Sequence, residues 1–87
     1  MAGKVYLVGA GPGDPELLTL KALKALQTAD VIVYDRLVSD EIMALVPQHA
    51  EKIFAGKSCK QKAMTQDEIN ELLVRLSVDG KDVVRLK

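Results

Sequence analysis

Residues 5–19 read VYLVGAGPGDPELLT, and this stretch contains the parts of one α/β unit. The β-branched and aromatic run at residues 4–8 predicts a strand, which the following glycines and proline end abruptly. Asp14 can cap free N–H groups, Pro15 suits the first helical position, and Glu16 suits the positive end of a helix dipole. The chain therefore opens as a strand, a glycine-rich loop and a helix.

Strands and helices continue to alternate along the rest of the chain. Apolar runs predict further strands at residues 31–34, 51–55 and 82–86. The helices between them are predicted from their caps and apolar spacing: one from Asp14 with Leu17, Leu20 and Leu23 on one face, one over residues 40–45 capped by Ser39, and one between the Thr65–Glu68 capping box and Gly80. This alternation predicts an α/β domain at residues 1–87 with a mostly parallel four-stranded sheet and flanking helices.

Composition excludes several classes of protein. The 87 residues carry 12 Lys+Arg against 12 Asp+Glu, and a net charge of zero argues against a nucleic-acid or membrane-surface partner. No apolar run approaches the roughly 18 residues of a membrane helix, and no signal peptide is recognisable. With one cysteine no internal disulfide can form, so a reducing, cytoplasmic setting is expected. Cys59 and His49 have no partners at catalytic or metal-ligand spacing, and no metal site is predicted.

Three predicted strands end in residues that suit a ligand. They are followed by residues 9–14, by Asp35 and Arg36, and by Gly56 and Lys57. Ligands of open α/β sheets bind beyond the carboxyl ends of the strands, so these three ends together predict a site.

The glycine-rich loop does not fit a dinucleotide. Asp14 occupies the position of the third glycine of a phosphate fingerprint, and its carboxylate would repel phosphate. Pro12 removes a donor N–H from the loop. The loop therefore suits a ligand that is neutral or cationic at that point, or it is simply a tight turn with Asp14 as the helix cap.

Asp35 and Lys57 each allow several interpretations. Asp35 could hold a ribose, act as a base at the edge of the sheet, or form an ion pair with Arg36 or another cation. Lys57 could donate a proton or anchor an anion, within a lysine-rich segment at residues 52–62 that suits an anionic small molecule. That segment could equally be a solvated loop.

Taken together, these residues resemble the tetrapyrrole (corrin/porphyrin) methylases. The resemblance is carried by residues 5–19, by residues 29–39 (ADVIVYDRLVS), by Gly56 and Lys57, and by residues 66–70 (QDEIN) and 83–87 (VVRLK). It covers essentially the whole chain and is strongest toward the branch that converts uroporphyrinogen III to precorrin-2, on the way to sirohaem and cobalamin. It implies S-adenosylmethionine as methyl donor, a tetrapyrrole substrate, no metal, and a homodimer.

The resemblance also implies roles for individual residues. Asp35 matches the expected proton acceptor and Lys57 the expected proton donor, while Arg36 is expected to meet substrate carboxylates. The expected donor-binding residues all lie in the first loop: Gly11, Pro12, Gly13 and Asp14.

The chain departs from its relatives in two places. Relatives usually continue after the Gly-Lys pair with arginine, glycine and histidine, whereas residues 58–63 here read SCKQKA, which leaves room for another tetrapyrrole. Relatives also continue beyond the position of Lys87 into a glycine-rich donor-binding segment and a second domain. We therefore expect residues 1–87 to be an N-terminal lobe that is inactive alone. The alternatives are another precorrin methyltransferase and a non-catalytic nucleotide- or flavin-binding module.

Overall fold

Four parallel strands form a single sheet in the computed structural model, which describes residues 2–9, 13–58 and 61–87. The strands are β1 (Val5–Val8), β2 (Val31–Tyr34), β3 (Glu51–Phe54) and β4 (Val83–Leu86). Their order across the sheet is β1-β4-β2-β3, with every neighbouring pair parallel. The prediction of an α/β fold with a parallel four-stranded sheet is confirmed.

Helices cover both faces of this sheet. They are α1 (Leu20–Thr28), α2 (Asp40–Met43) and α3 (Gln66–Val78). One core lies under α1 and α2 and includes Leu26, Ile32, Ile42 and Val84. The other lies under α3 and includes Val31, Val33, Ile69, Leu73 and Val83. Because β2 and β4 are central, their side chains are buried on both faces, as is typical of parallel sheets.

The capping box predicted for α3 is present. The Thr65 hydroxyl accepts from the Glu68 N–H at 3.1 Å, and the Glu68 carboxylate accepts from the Thr65 N–H at 2.9 Å. The predicted left-handed glycine is present as well, because Gly80 has a φ of 88° just after the helix. None of the helices in the described part of the chain has the length and apolarity to span a membrane.

The helix predicted from Asp14 is in fact divided in two. Asp14 caps only a 3-10 turn at Pro15–Leu17, where its Oδ1 accepts from the Glu16 N–H at 2.9 Å. Leu18 is extended, and Thr19 then caps α1. A threonine hydroxyl that bonds nearby N–H groups favours a new helix start over continuation of the old one.

This division decides which side chains of α1 reach the core. The expectation that three leucines share one helix face is wrong, because Leu17 precedes the break. Leu17 and Leu20 are 65% and 79% exposed, whereas Ala25 and Leu26 are buried.

Candidate functional site

The loops that follow β1, β2 and β3 meet at the carboxyl edge of the sheet. The Ser39 hydroxyl, on the loop after β2, donates to the Gly13 carbonyl on the loop after β1 at 2.8 Å. Gly56, on the loop after β3, lies so close to the β2 loop that a Cβ there would be 3.2 Å from the Arg36 backbone nitrogen. The three strand ends predicted to form one site are therefore brought together.

The topology predicts a crevice at the ends of β2 and β3. The chain leaves β2 toward α2 on one face of the sheet and leaves β3 toward α3 on the other face. Neighbouring strands whose connections diverge in this way create the crevice in which α/β proteins bind ligands. Asp35 follows one of these strands and Lys57 follows the other.

Asp35 is held from both sides of its carboxylate. Its Oδ1 accepts from the Leu37 N–H at 2.9 Å, and its Oδ2 lies 3.6 Å from Nη2 of Arg85. The Asp35 side chain keeps 22% of its surface exposed. A carboxylate has about four lone-pair sites, so these two contacts leave Asp35 able to accept a proton from a molecule in the crevice.

The cation paired with Asp35 is Arg85, and sequence reasoning did not single it out. The sequence allowed an ion pair between Asp35 and Arg36 or another cation, and in the structure that cation is Arg85. A signal was present in the sequence, because Arg85 interrupts an otherwise apolar strand. A charged side chain on a strand buried on both faces needs a partner, since burying a lone charge is costly.

Arg36 and Lys57 lie at the exposed rim of the crevice. Both residues are exposed. Within residues 2–9, 13–58 and 61–87, no hydrogen bond or ion pair involves either side chain. Gly56 lies between them in a crowded position, where a Cβ would be 2.7 Å from the Phe54 ring and 3.2 Å from the Arg36 backbone nitrogen. Two cationic side chains are therefore available to a molecule that enters the crevice.

The described part of the glycine-rich loop suits a ligand without phosphate. The Asp14 carboxylate already occupies the Glu16 N–H at the start of the 3-10 turn, so that donor is not available to an anion. Gly13 has a φ of 93°, which favours glycine. Gly11 and Pro12 lie outside the described residues, as does Cys59. The charge at Asp14 fits a cationic ligand better than a pyrophosphate.

Two grooves run along the free edge of β1, one on each face of the sheet. The groove on the α3 side has a volume of about 230 Å³ and is lined by Gly9, Asn70 and Arg85, among others. The groove on the α1 side has a volume of about 360 Å³ and is lined by Gly9, Thr19 and Ala22, among others. Neither groove is lined by Asp35, Arg36 or Lys57. No group of three or more metal-ligating side chains exists in the described part of the chain.

We expect Ser39→Ala to destabilise the 87-residue chain by about 1 kcal/mol, because the Ser39 hydroxyl also caps α2 through the Ile42 N–H. Ser39→Asp is the matched variant, since aspartate retains the cap but cannot donate to the Gly13 carbonyl. Thermal unfolding measures the effect on the α2 cap, and the carbonyl-carbon chemical shift of Gly13 reports the contact between the loops. If Ser39→Asp left that shift at its wild-type value, the tie between the two loops would be refuted.

Comparison with known proteins identifies the family of this chain. The family model of the Tetrapyrrole (Corrin/Porphyrin) Methylases matches residues 4–87. This chain therefore belongs to the tetrapyrrole methylase family.

Individual relatives agree with this assignment. A siroheme synthase of Methylobacillus flagellatus is 61% identical over 98% of this chain, which spans 18% of that relative. The uroporphyrin-III C-methyltransferase of Thermus thermophilus has a TM-score of 0.84 and 45% identity, and the chain covers 35% of it. A second structure of that enzyme, in complex with S-adenosyl homocysteine, has a TM-score of 0.78 and 53% identity over 98% of this chain and 35% of that one. A cobalt precorrin-4 methyltransferase has a TM-score of 0.79 and 39% identity over 95% of this chain and 33% of that one.

Proposed function

We propose that the polypeptide containing this chain transfers methyl groups from S-adenosylmethionine to carbon atoms of uroporphyrinogen III and so forms precorrin-2. The observation that carries the proposal is the convergence of three strand-end loops around the partly exposed carboxylate of Asp35. The chain spans about a fifth of the siroheme synthases that it matches and about a third of the solved methyltransferases. We propose that residues 1–87 form the N-terminal lobe of a cytoplasmic, homodimeric enzyme.

In the proposed reaction, this lobe positions the substrate and transfers protons. A carbon–carbon bond forms at a pyrrole carbon, the carbon–sulfur bond of the donor breaks, and one proton leaves the macrocycle. Asp35 accepts that proton, for which it has free lone pairs on the crevice side of its two contacts. Lys57 serves as proton donor on the opposite wall, and Arg36 meets a carboxylate of the substrate. Well-placed acid–base groups contribute roughly 100- to 10,000-fold to such reactions.

S-adenosylmethionine supplies the methyl group when it is bound. The residues proposed to hold it are Gly11, Pro12, Gly13 and Asp14. Support comes from the acidic charge at Asp14, which suits a sulfonium, and from the neighbouring structure that contains S-adenosyl homocysteine. We propose no metal ion in the reaction.

A second candidate function is methylation of a precorrin that is formed later in the same biosynthetic pathway. Two observations favour it: the likeness to a cobalt precorrin-4 methyltransferase, and the departure of residues 58–63 from the loop that relatives usually carry. Gln61 of this segment donates to the carbonyls of Phe54 and Gly56 at 3.1 and 3.2 Å, so Gln61 itself lies against the end of β3.

Binding and product analysis on the full-length polypeptide test the proposal. We expect titration calorimetry to show binding of S-adenosylhomocysteine. With uroporphyrinogen III and S-adenosylmethionine, mass spectrometry should show a product heavier by two methyl groups. Binding of FMN or NAD without S-adenosylhomocysteine would refute the methyltransferase. Methylation of another precorrin, but not of uroporphyrinogen III, would establish the second candidate instead.

We expect the 87-residue chain by itself to give no methylated product in the same assay, because it spans only 35% of the similar methyltransferase. The full-length polypeptide at equal concentration is the positive control. Precorrin-2 formation by the isolated chain would show that one lobe contains the whole site.

A further inference from the structure

Arg85 stands out as the charged residue that the described part of the fold buries. It is 6% exposed and lies on the central strand β4. In the sheet it is in register with Leu7 on β1 and with Val33 on β2, so it lies on the face covered by α3. A buried guanidinium is costly unless its donors are paired, and this position therefore needs an explanation beyond packing.

The backbone of the two central strands holds the guanidinium in place. Nη1 of Arg85 donates to the carbonyl of Leu86 at 3.1 Å and to the carbonyl of Val33 at 3.4 Å. These carbonyls belong to β4 and β2, so the planar group is fixed against the most buried strands of the sheet. Nε is buried without a hydrogen-bond partner among the described residues. The group is therefore only partly satisfied, and its remaining strong partner is a carboxylate.

That carboxylate is Asp35, at 3.6 Å from Nη2. Asp35 follows Val33 by two residues, which places both on the α3 face of the sheet, where Arg85 also lies. The Leu37 N–H restrains the other carboxylate oxygen. The Asp35 side chain is 22% exposed whereas that of Arg85 is 7% exposed, so the carboxylate is the more accessible partner of the pair.

We propose that Arg85 is a positioning residue, which holds the Asp35 carboxylate at the orientation needed to accept the substrate's proton. This inference rests on the proposed function, because it concerns the proton acceptor of that same site. Arg85 acts through Asp35 and does not itself contact the tetrapyrrole or the methyl donor. A lysine in its place reaches one partner at a time, since it lacks the planar fork that bonds two carbonyls and a carboxylate together.

The test is a double-mutant cycle in the full-length polypeptide, with Arg85→Met, Asp35→Asn and the double variant. We expect Arg85→Met to lower kcat about 100-fold, the scale of a misplaced catalytic group. KM for the tetrapyrrole and the affinity for S-adenosylhomocysteine should stay within about threefold of wild type. The double variant should be no slower than Asp35→Asn alone, because Arg85 has nothing left to position. Arg85→Lys should recover part of the lost kcat.

Arg75→Met is the matched control, because Arg75 is an exposed arginine near the end of α3. It should leave kcat unchanged. The proposal would be overturned if the losses in kcat multiplied in the double variant, or if Arg85→Met changed only KM or the affinity for S-adenosylhomocysteine. Arg85 would then be a structural or binding residue. If Arg85→Met does not fold, Arg85→Lys decides: a lower kcat at unchanged KM supports positioning, and a wild-type kcat overturns it. A wild-type polypeptide with no turnover and no S-adenosylhomocysteine binding would instead refute the proposed function.

Discussion

Replacing Asp35 by asparagine is expected to lower kcat of the full-length polypeptide by about 100- to 10,000-fold, the usual contribution of a positioned acid or base. Asparagine has the same size and can still accept the Leu37 N–H, so the loop after β2 should keep its shape. It cannot take up a proton at the substrate. Steady-state kinetics with uroporphyrinogen III gives kcat, and calorimetry with S-adenosylhomocysteine should give an affinity within about threefold of wild type.

Asp79→Asn is the control for this variant. Asp79 is exposed and follows α3, before β4 begins, so it lies away from the carboxyl edge of the sheet. The substitution makes the same chemical change and should leave kcat near its wild-type value. Near wild-type turnover of Asp35→Asn would remove Asp35 as the proton acceptor and would leave Lys57 or a second lobe to supply it.

Replacing Leu26 by alanine should have the largest effect on stability. Leu26 is fully buried between α1 and the sheet, in the same core as Ile32 and Val84. Substitutions of this kind lose the transfer free energy of the side chain and leave a cavity, which together cost about 3 kcal/mol. Urea unfolding of the 87-residue chain, followed by circular dichroism, measures the change as a lower midpoint at an unchanged slope.

Leu20→Ala is the matched control, because it makes the same substitution at an exposed position. Leu20 belongs to the same helix but is 79% exposed, so its replacement should change the free energy of unfolding by less than about 0.5 kcal/mol. Equal effects of the two variants would contradict the orientation of α1, and with it the division of the first helix at Thr19.

The sequence predicted the fold well where local signals and burial agree. Strand β2 was placed at its observed bounds because four β-branched or aromatic residues follow one another, and three of them are buried. Helix α3 was predicted from its cap to its terminal glycine, since its capping box and apolar spacing indicate the same element. The first helix was misjudged because two capping residues, Asp14 and Thr19, compete within one turn. Which of them begins the long helix depends on packing against the sheet.

The sequence alone could nominate residues for the candidate site, but it could not give the contacts between them. Polar strand ends identified Asp35, Lys57 and the glycine-rich loop, since parallel strands end at one edge whatever their order. The strand order itself is not a local property, and only that order places β4 beside β2 and so brings Arg85 to Asp35. The role of Asp35 remains a prediction that Asp35→Asn tests. The roles of Lys57, Arg36 and the glycine-rich loop remain predictions.

The position of β4 in the sheet also affects how the chain folds while it is being synthesised. β4 is the last of these strands to be synthesised, yet it lies between β1 and β2. While a ribosome is still producing the chain, β2 and β3 can pair, but β1 has no neighbour until residues 83–86 have emerged. Closing the sheet then joins residues almost a full chain length apart, which slows folding. In the nascent chain β1 therefore stays without a strand partner until β4 has emerged, which prolongs the exposure of an unpaired strand edge.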